Sequence, residues 1–407
     1  MELDISWVRS RFPAFSEPSL DGWAFFENAG GSYPCAPVVE RLERFYRARK
    51  VQPYAPYPAS EAGGAEMEEA RVRLSAMLSV EEDELSFGPS TTQNVYVLAN
   101  AFRQWLPDGA AIVVTDQDHE ANSGAWRRLA EEGFEIREWR IDPQTGSLAE
   151  EDLIALLTDG RVRLVCFPHC SNVVGEINDV RAICALAHEA GAVTCVDGVS
   201  YAPHGLPDVA ALGTDIYMFS AYKTYGPHQG ILCISRDLGM ALPNQGHGFN
   251  EGSLYKRFTP AGPDHAQIAA CAGMADYVDE VAERLGATGS GADRSVAASK
   301  AMRAREVSLL GPMLDWARER NDVRLIGTSD PARRAPTVAL HCVEPGEAVA
   351  AKLAEHRIMA GGGDFYAVRP LTAMGVDPSH GVLRLSFVHY TTEEEVARAI
   401  EALEAVL

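Results

Sequence analysis

The sequence predicts an α/β protein with a mostly parallel central sheet in a large domain and a smaller α+β domain towards the C-terminus. Three observations carry this expectation. Apolar runs rich in Val, Ile, Leu and Cys recur through the middle of the chain, and helix-like stretches separate the first of them. The runs are nearly continuous instead of alternating with polar residues, which marks strands covered on both faces. Towards the C-terminus two strand-like runs and a capped final helix follow a flexible glycine-rich segment, the pattern of a second, smaller unit.

In chain order, a helix is expected around Ile5-Ser6-Trp7-Val8, packed against the C-terminal domain. Ala111–Val114 is a strand preceding a helix near Trp126–Ala130, and Val162–Phe167 is a strand preceding a helix over Val180–Ala187. Strands at Val193, Ile216 and Ile231 then come in close succession. Pro243 to His265 is rich in Gly, Pro, Asn and His and reads as a long surface connection, a length that is often functional. Gly286–Ala292 reads as a linker ahead of a helix beginning near Arg294. Pro336–His341 and Val382–Phe387 read as strands. Thr391-Thr392-Glu393-Glu394 resembles a capping box opening a last helix with Val396, Ile400 and Leu403 on one face. The expected division is a large domain at 18–265 and a small one from 1–17 plus 266–407.

Composition narrows the function classes. A chain of 407 residues holds two domains, or one large and one small, by ordinary domain size. The formal net charge of -21, with basic residues scattered, excludes nucleic acid and anionic membrane as expected partners. No stretch has the roughly 18 uninterrupted apolar residues of a membrane helix. Met1-Glu2-Leu3-Asp4-Ile5 lacks the basic and apolar runs of a secretory signal. The 8 cysteines form no Cys-x-x-Cys pair, and Cys166, Cys195 and Cys233 lie inside apolar runs. Buried thiols in a reducing cytoplasm are therefore expected, with no disulfide framework and no metal.

The chemistry centres on Lys223, in Ser220-Ala221-Tyr222-Lys223-Thr224-Tyr225-Gly226-Pro227. It follows the core strand at Ile216, so its amine can be held desolvated and aimed into a cleft. An amine kept neutral in this way condenses with an aldehyde cofactor. Asp197 closes the strand Val193-Thr194-Cys195-Val196, where the partner of a pyridinium nitrogen belongs. Together they point to pyridoxal 5'-phosphate (PLP). The remaining contacts each have one candidate. Ser90-Thr91-Thr92 ahead of a helical run can seat a phosphate at a helix N-terminus, although alone it reads as an ordinary cap. His119 can lie over the pyridine ring; its plainer reading is a capping residue. Asn172 can hydrogen-bond the ring oxygen, its plainer reading being a turn asparagine. Ser220 can add a hydroxyl to the phosphate. Ligands in such folds collect at the carboxyl ends of the strands, where Asp197 and Lys223 stand.

These residues resemble the class V aminotransferase group, the fold-type-I PLP enzymes that include cysteine desulfurases and isopenicillin-N epimerase. The resemblance runs from Phe25-Phe26-Glu27-Asn28-Ala29-Gly30-Gly31 to the final helix. It implies Lys223 as the cofactor-binding lysine, Asp197 at the ring nitrogen, His119 on the ring and Asn172 at the ring hydroxyl. It also implies Thr91, Thr92 and Ser220 at the phosphate and Arg384 on a substrate carboxylate, with Asn28 and Gly30 on the substrate side. Several positions depart from the family. Ala360–Ala367 contains no cysteine where desulfurases carry their nucleophile, so persulfide formation on that loop is not expected. Tyr222 stands in place of a phosphate-binding histidine and Ser200 in place of a glutamine near the ring oxygen. Ala261-Gly262-Pro263-Asp264 lacks the threonine by which a neighbouring subunit reaches the phosphate. The implied assembly is a homodimer with shared active sites, His247 and Asn250 shaping the pocket from the neighbouring subunit.

The expected reaction is Cα carbanion chemistry on a small L-amino acid. A sulfur-containing amino acid or S-substituted cysteine that loses its sulfur group by β-elimination at the Cβ–S bond, or by desulfurase-like chemistry, is favoured, with Tyr366 orienting the leaving group. The alternatives are an aminotransferase or epimerase, and decarboxylating oxidative deamination of an S-substituted cysteine. A PLP-binding partner protein without turnover is the reading from a different class, against which intact Lys223 and Asp197 argue.

Overall fold

Each apolar run of the middle chain becomes a strand of one sheet. The structure, a computed structural model, describes residues 3–407. Its strands in chain order are β1 (Ala24–Phe25), β2 (Leu85–Gly88), β3 (Ala111–Thr115), β4 (Glu135–Trp139), β5 (Val162–Pro168), β6 (Val193–Asp197) and β7 (Ile216–Ser220). They continue as β8 (Gly230–Ile234), β9 (Val323–Ile326), β10 (Thr337–Cys342), β11 (Ile358–Met359), β12 (Gly361–Gly363) and β13 (Val382–Ser386). The large sheet runs β2-β8-β7-β6-β5-β3-β4, and the smaller sheet β12-β13-β10-β9.

Strands β3 to β7 run parallel to one another, whereas β8 is antiparallel to both β7 and β2. The reversal has a simple cause. Residues 221–229 joining β7 to β8 are too few for a parallel crossover, which takes a dozen or more. Strands β3, β7 and β8 are buried at every position, as unbroken apolar runs require. The exposed edge β4 instead carries Glu135 and Arg137, and Arg137 pairs with Asp159. Charge on an edge strand blocks pairing with another chain.

Local chemistry fixes the helices that frame the sheet. The helix Thr91–Trp105 starts after Ser90, whose hydroxyl accepts from the Gln93 N–H at 3.1 Å. Its first turn lies against the start of β8, because a Cβ on Gly230 would meet the Ser90 carbonyl group and the Thr91 nitrogen. Gly230→Ala is accordingly expected to push this helix start away and to destabilise the chain by about 1–3 kcal/mol, the usual range for overpacking. Urea unfolding checks the loss, and an unchanged midpoint would contradict the contact.

Two boundaries differ from those expected. The helix expected near Arg294 begins at Gly291, because Ser290 and Asp293 form a reciprocal capping box. The last helix, Glu393–Val406, is capped by Thr392 with Glu395, one residue later than the motif read in the sequence. The connection from Pro243 to His265 is organised internally. The buried Arg257 donates to the carbonyls of Gly239, Leu242 and Glu251, tying the segment to the preceding helix.

Packing bears on how the chain divides. The helix His265–Arg284 is lined with alanines and lies on the helices Ala36–Ala48 and Pro58–Leu78; Gly273 lets the backbone at Pro37 and Val38 approach. Its buried residues share one core with Phe87, Val113 and Phe167, as do Val8 and Phe12 of the N-terminal segment. A second core joins Leu309, Leu310 and Met313 to Val338, Leu385 and Leu403. This packing puts Ala298 and Met302 of the helix Gly291–Glu319 on the first core and its residues from Leu309 on the second. It also makes the N-terminal helix Ile5–Ser10 a bridge, because Arg9 pairs with Glu395 of the last helix. Among the described residues no helix is long and apolar enough to cross a membrane.

Candidate active site

The carboxyl ends of β3, β5, β6 and β7 open onto one cavity of about 690 Å³, closed on its far side by the smaller sheet. It gathers Thr91, Thr92, His119, Asn172, Asp197, Ser200, Ser220, Tyr222, Lys223, Gly30, Tyr366 and Arg384, most of the candidates read from the sequence.

Lys223 is delivered by a single tight turn after β7. The Ala221 carbonyl accepts from the N–H groups of both Thr224 and Gly226, and the Lys223 carbonyl accepts from the Ser32 hydroxyl at 2.7 Å. Among the five lysines of the chain, at 50, 223, 256, 300 and 352, it is the only buried one. Burial and then the nearby Arg384 pull its pKa down to about 8, against the opposing attraction of Asp197 and Glu27. At pH 7.5 about a quarter of such amines are neutral, against roughly 0.1% for an ordinary lysine. Only the neutral amine attacks an aldehyde, so the rate of cofactor capture is expected to rise with pH and level off above about pH 8. Stopped-flow absorbance measures this. A rate still climbing at pH 10 would mean that the amine is unperturbed.

Asp197 ends β6, and its Oδ1 accepts from the Val199 N–H at 2.8 Å. Burial pushes it up to about 6, so it is anionic at neutral pH. Its neighbour Asp118 was not singled out in the sequence. Burial and the charge of Asp197 drive Asp118 well above the ordinary carboxyl range, leaving Asp197 as the more acidic member of the pair.

His119 takes its plainer reading, a capping residue, while its ring also reaches the cavity. It caps the helix Glu120–Arg128, accepting from the Ala121 N–H through Nδ1 at 3.0 Å, and its ring lines the cavity. Burial, followed by the charges of Lys223 and Arg384, holds its pKa down to about 3. The ring is therefore neutral, with its proton on Nε2. Asn172 donates to the Phe365 carbonyl at 2.9 Å, and its Oδ1 is buried without a partner. The Thr91 and Ser220 hydroxyls touch at 2.8 Å beside the start of the helix Thr91–Trp105.

Arg384, on β13, is buried at the opposite end of the cavity. Its Nη1 donates to the Asn172 carbonyl at 3.2 Å, its Nη2 donates to Glu27, its Nε has no partner, and the plane lies over the Phe365 ring at 3.8 Å. Glu27 was also missed, because it meets Arg384 across 357 positions of sequence, which no local pattern reveals. Gly30 serves that carboxylate, since a Cβ there would meet the Glu27 Oε1 atom. Phe365 and Tyr366 both have positive φ (53° and 56°), a backbone strain held by Asn172 on the Phe365 carbonyl and by the Glu120 N–H on the Tyr366 carbonyl. Tyr366 is 73% exposed at the mouth, its ring 5.6 Å from that of His119. His228, likewise unread in the sequence, lines the cavity with its ring stacked on Tyr222.

Three expected residues, Asn28, His247 and Asn250, do not join this cavity. Asn28 turns the other way: its Nδ2 donates to the Ser386 carbonyl at 3.2 Å and its Oδ1 accepts from the Tyr390 hydroxyl, so both polar ends are spent on the end of β13 and the segment just after it. His247 lies with Tyr54, Phe249 and Tyr255 along a separate depression of about 330 Å³. All eight cysteines are buried, and Cys170, which reaches the cavity wall, stays a thiol because burial pushes it up to about 12.

A desolvated lysine facing a carboxylate at the ends of parallel strands belongs to a PLP-dependent enzyme, and comparison with known proteins agrees. The Aminotransferase class-V family matches residues 24–399, and the chain belongs to that family, whose members use PLP. It is 32% identical over 413 residues to the aminotransferase-like protein FGM3 of Gibberella zeae, covering 98% of each chain. It is 30% identical to the cysteine desulfurase-like protein ustD of Aspergillus flavus, covering 100% of this chain and 91% of the relative. A cysteine desulfurase structure from Thermococcus onnurineus superimposes with a TM-score of 0.86 at 23% identity, over 100% of this chain and 98% of the other. That likeness shows the fold, type I of the PLP enzymes.

Proposed function

We propose that this chain binds PLP in the cavity and breaks a bond at the Cα or Cβ of an L-amino acid carrying sulfur on its side chain, by β-elimination at the C–S bond. One observation carries the reading: a buried amine of lowered pKa and a buried carboxylate lie between a hydroxyl-lined helix start and a guanidinium. The donor set suits the cofactor. Thr91, Thr92, Ser220 and the first N–H groups of the helix Thr91–Trp105 would hold its phosphate. The partnerless Asn172 Oδ1 offers an acceptor to a ring hydroxyl, the neutral His119 ring a stacking face, and Asp197 an anion for the ring nitrogen. Ser200 and Tyr222 would complete the walls. The bound cofactor supplies an electron sink for the bond broken at Cα.

The remaining steps belong to side chains of this chain. Arg384 grips the substrate carboxylate, and for a two-point grip through Nε and Nη2 the Glu27 carboxylate releases Nη2. Lys223, neutral near its pKa, takes the Cα proton on Nζ and can return it. Tyr366 and Phe365 close the mouth over the side chain, with Tyr366 beside the leaving group.

The sulfur preference is supported by the likeness to a cysteine desulfurase-like protein, and the loop at 360–367 argues against a persulfide route because it holds no thiol. The reading includes a homodimer in a reducing cytoplasm, with His247 and Asn250 reaching the neighbouring site. It is supported by free, buried cysteines and by the place of His247 outside its own chain's cavity. Incubation with L-amino acids and S-alkyl cysteines, with products identified by mass, tests the reaction. Pyruvate, ammonia and a thiol are expected. A keto acid with an aminated cofactor would make the chain an aminotransferase, as the likeness to FGM3 allows, and a racemised substrate an epimerase.

A further inference from the structure

We propose that His228 is the cationic partner of the cofactor's phosphate; this rests on the reading that the cavity holds PLP. A phosphate dianion seated on hydroxyls and helix N–H groups still calls for a full positive charge close by. The cavity wall offers few. Lys223 and Arg384 face the middle and far end, where Arg384 is already committed to Glu27 and to the Asn172 carbonyl. His119 spends Nδ1 on the Ala121 N–H and stays neutral. The acids Glu27, Asp118, Glu120 and Asp197 also line the space, so the wall does not compensate a dianion by excess charge.

His228 is the remaining group able to carry charge, and the fold brings it to the right end. It stands just ahead of Gly230, which abuts the Ser90 and Thr91 backbone and pairs with Ser220 across β7 and β8. Ser220 in turn touches Thr91. The segment leading into β8 therefore runs alongside the three phosphate candidates. Between His228 and β8, Gln229 is anchored by its side-chain donation to the Gly88 carbonyl, fixing the point from which the imidazole projects. The imidazole lies flat on the Tyr222 ring, with centroids 4.8 Å apart and planes 5° from parallel. A face-on stack occupies the ring faces and leaves both nitrogens at the edge, where they can donate to an anion. Tyr222 is thus a positioning residue for His228.

Binding of PLP and of pyridoxal, which lacks the phosphate, to the cofactor-stripped full chain separates the possibilities. For His228→Asn the PLP dissociation constant is expected to rise about tenfold or more, as for loss of a charge-assisted hydrogen bond, while that of pyridoxal is unchanged. His228→Lys should restore most of the PLP affinity. Wild-type chain that binds PLP, with His228→Asn binding it equally well, would overturn the assignment alone. Equal weakening of PLP and pyridoxal would do the same, reducing His228 to a wall residue. Wild-type chain that takes up neither ligand would instead overturn the cofactor reading, and this assignment with it.

Discussion

Replacement of Lys223 by alanine is expected to lower turnover by at least about 10³-fold, because two functions leave with one amine. A positioned general base alone contributes roughly 10²- to 10⁴-fold. The covalent hold on the cofactor is lost as well. The chain should still fold: Lys223 makes its fixed contacts through its backbone, whose carbonyl accepts from Ser32. Removing a buried amine also relieves a desolvation cost, so the melting temperature should hold or rise. PLP would remain bound through its phosphate and ring but be freely exchangeable, as dialysis would show. Activity within tenfold of wild type would place the base elsewhere.

The second large effect is at Arg384. Truncating one member of a buried, hydrogen-bonded charge pair costs about 2–5 kcal/mol, part of it from the partner left unpaired. For Arg384→Ala this corresponds to a fall in kcat/KM of about 30- to 5,000-fold. The division between the constants carries the information. If Arg384 grips the substrate carboxylate equally in the ground and transition states, the loss falls on KM with kcat little changed. Arg384→Lys keeps the charge but not the planar fork, and should recover only part of the loss. PLP binding should be normal in both variants, since the guanidinium lies away from the Thr91 end of the cavity. A loss of PLP binding equal to the loss of activity would show that the arginine holds the cofactor or the fold instead.

The parts of the site that were legible in the sequence are those set by one strand and the turn after it. Asp197 and Lys223 follow apolar runs whose burial is dictated by composition, so their placement at strand ends follows from the sheet. His119 and Asn172 are readable for the same reason. Residues whose roles depend on distant segments were not legible. Glu27 is defined by Arg384, and Asn28, its immediate neighbour, turns away to Tyr390; nothing local distinguishes the two. His228 lies past the Gly226-Pro227 turn, where the direction of the chain is set by the antiparallel return of β8. That return was itself readable from the short connection, had its length been weighed against the need of a parallel crossover. The division between cores was hidden differently. The glycine-rich stretch before Ser290 looks like a domain linker, yet the helices on either side of it both pack on the large core.

The central claim is that one amine of this chain captures PLP, and five lysines make it directly testable. Full-length protein loaded with PLP, reduced with borohydride, digested and mapped by mass should carry the pyridoxyl adduct on Lys223 in near-stoichiometric yield. Lys50, Lys256, Lys300 and Lys352 should carry only traces. Adduct spread over those four more exposed lysines, or none on Lys223, would contradict the account.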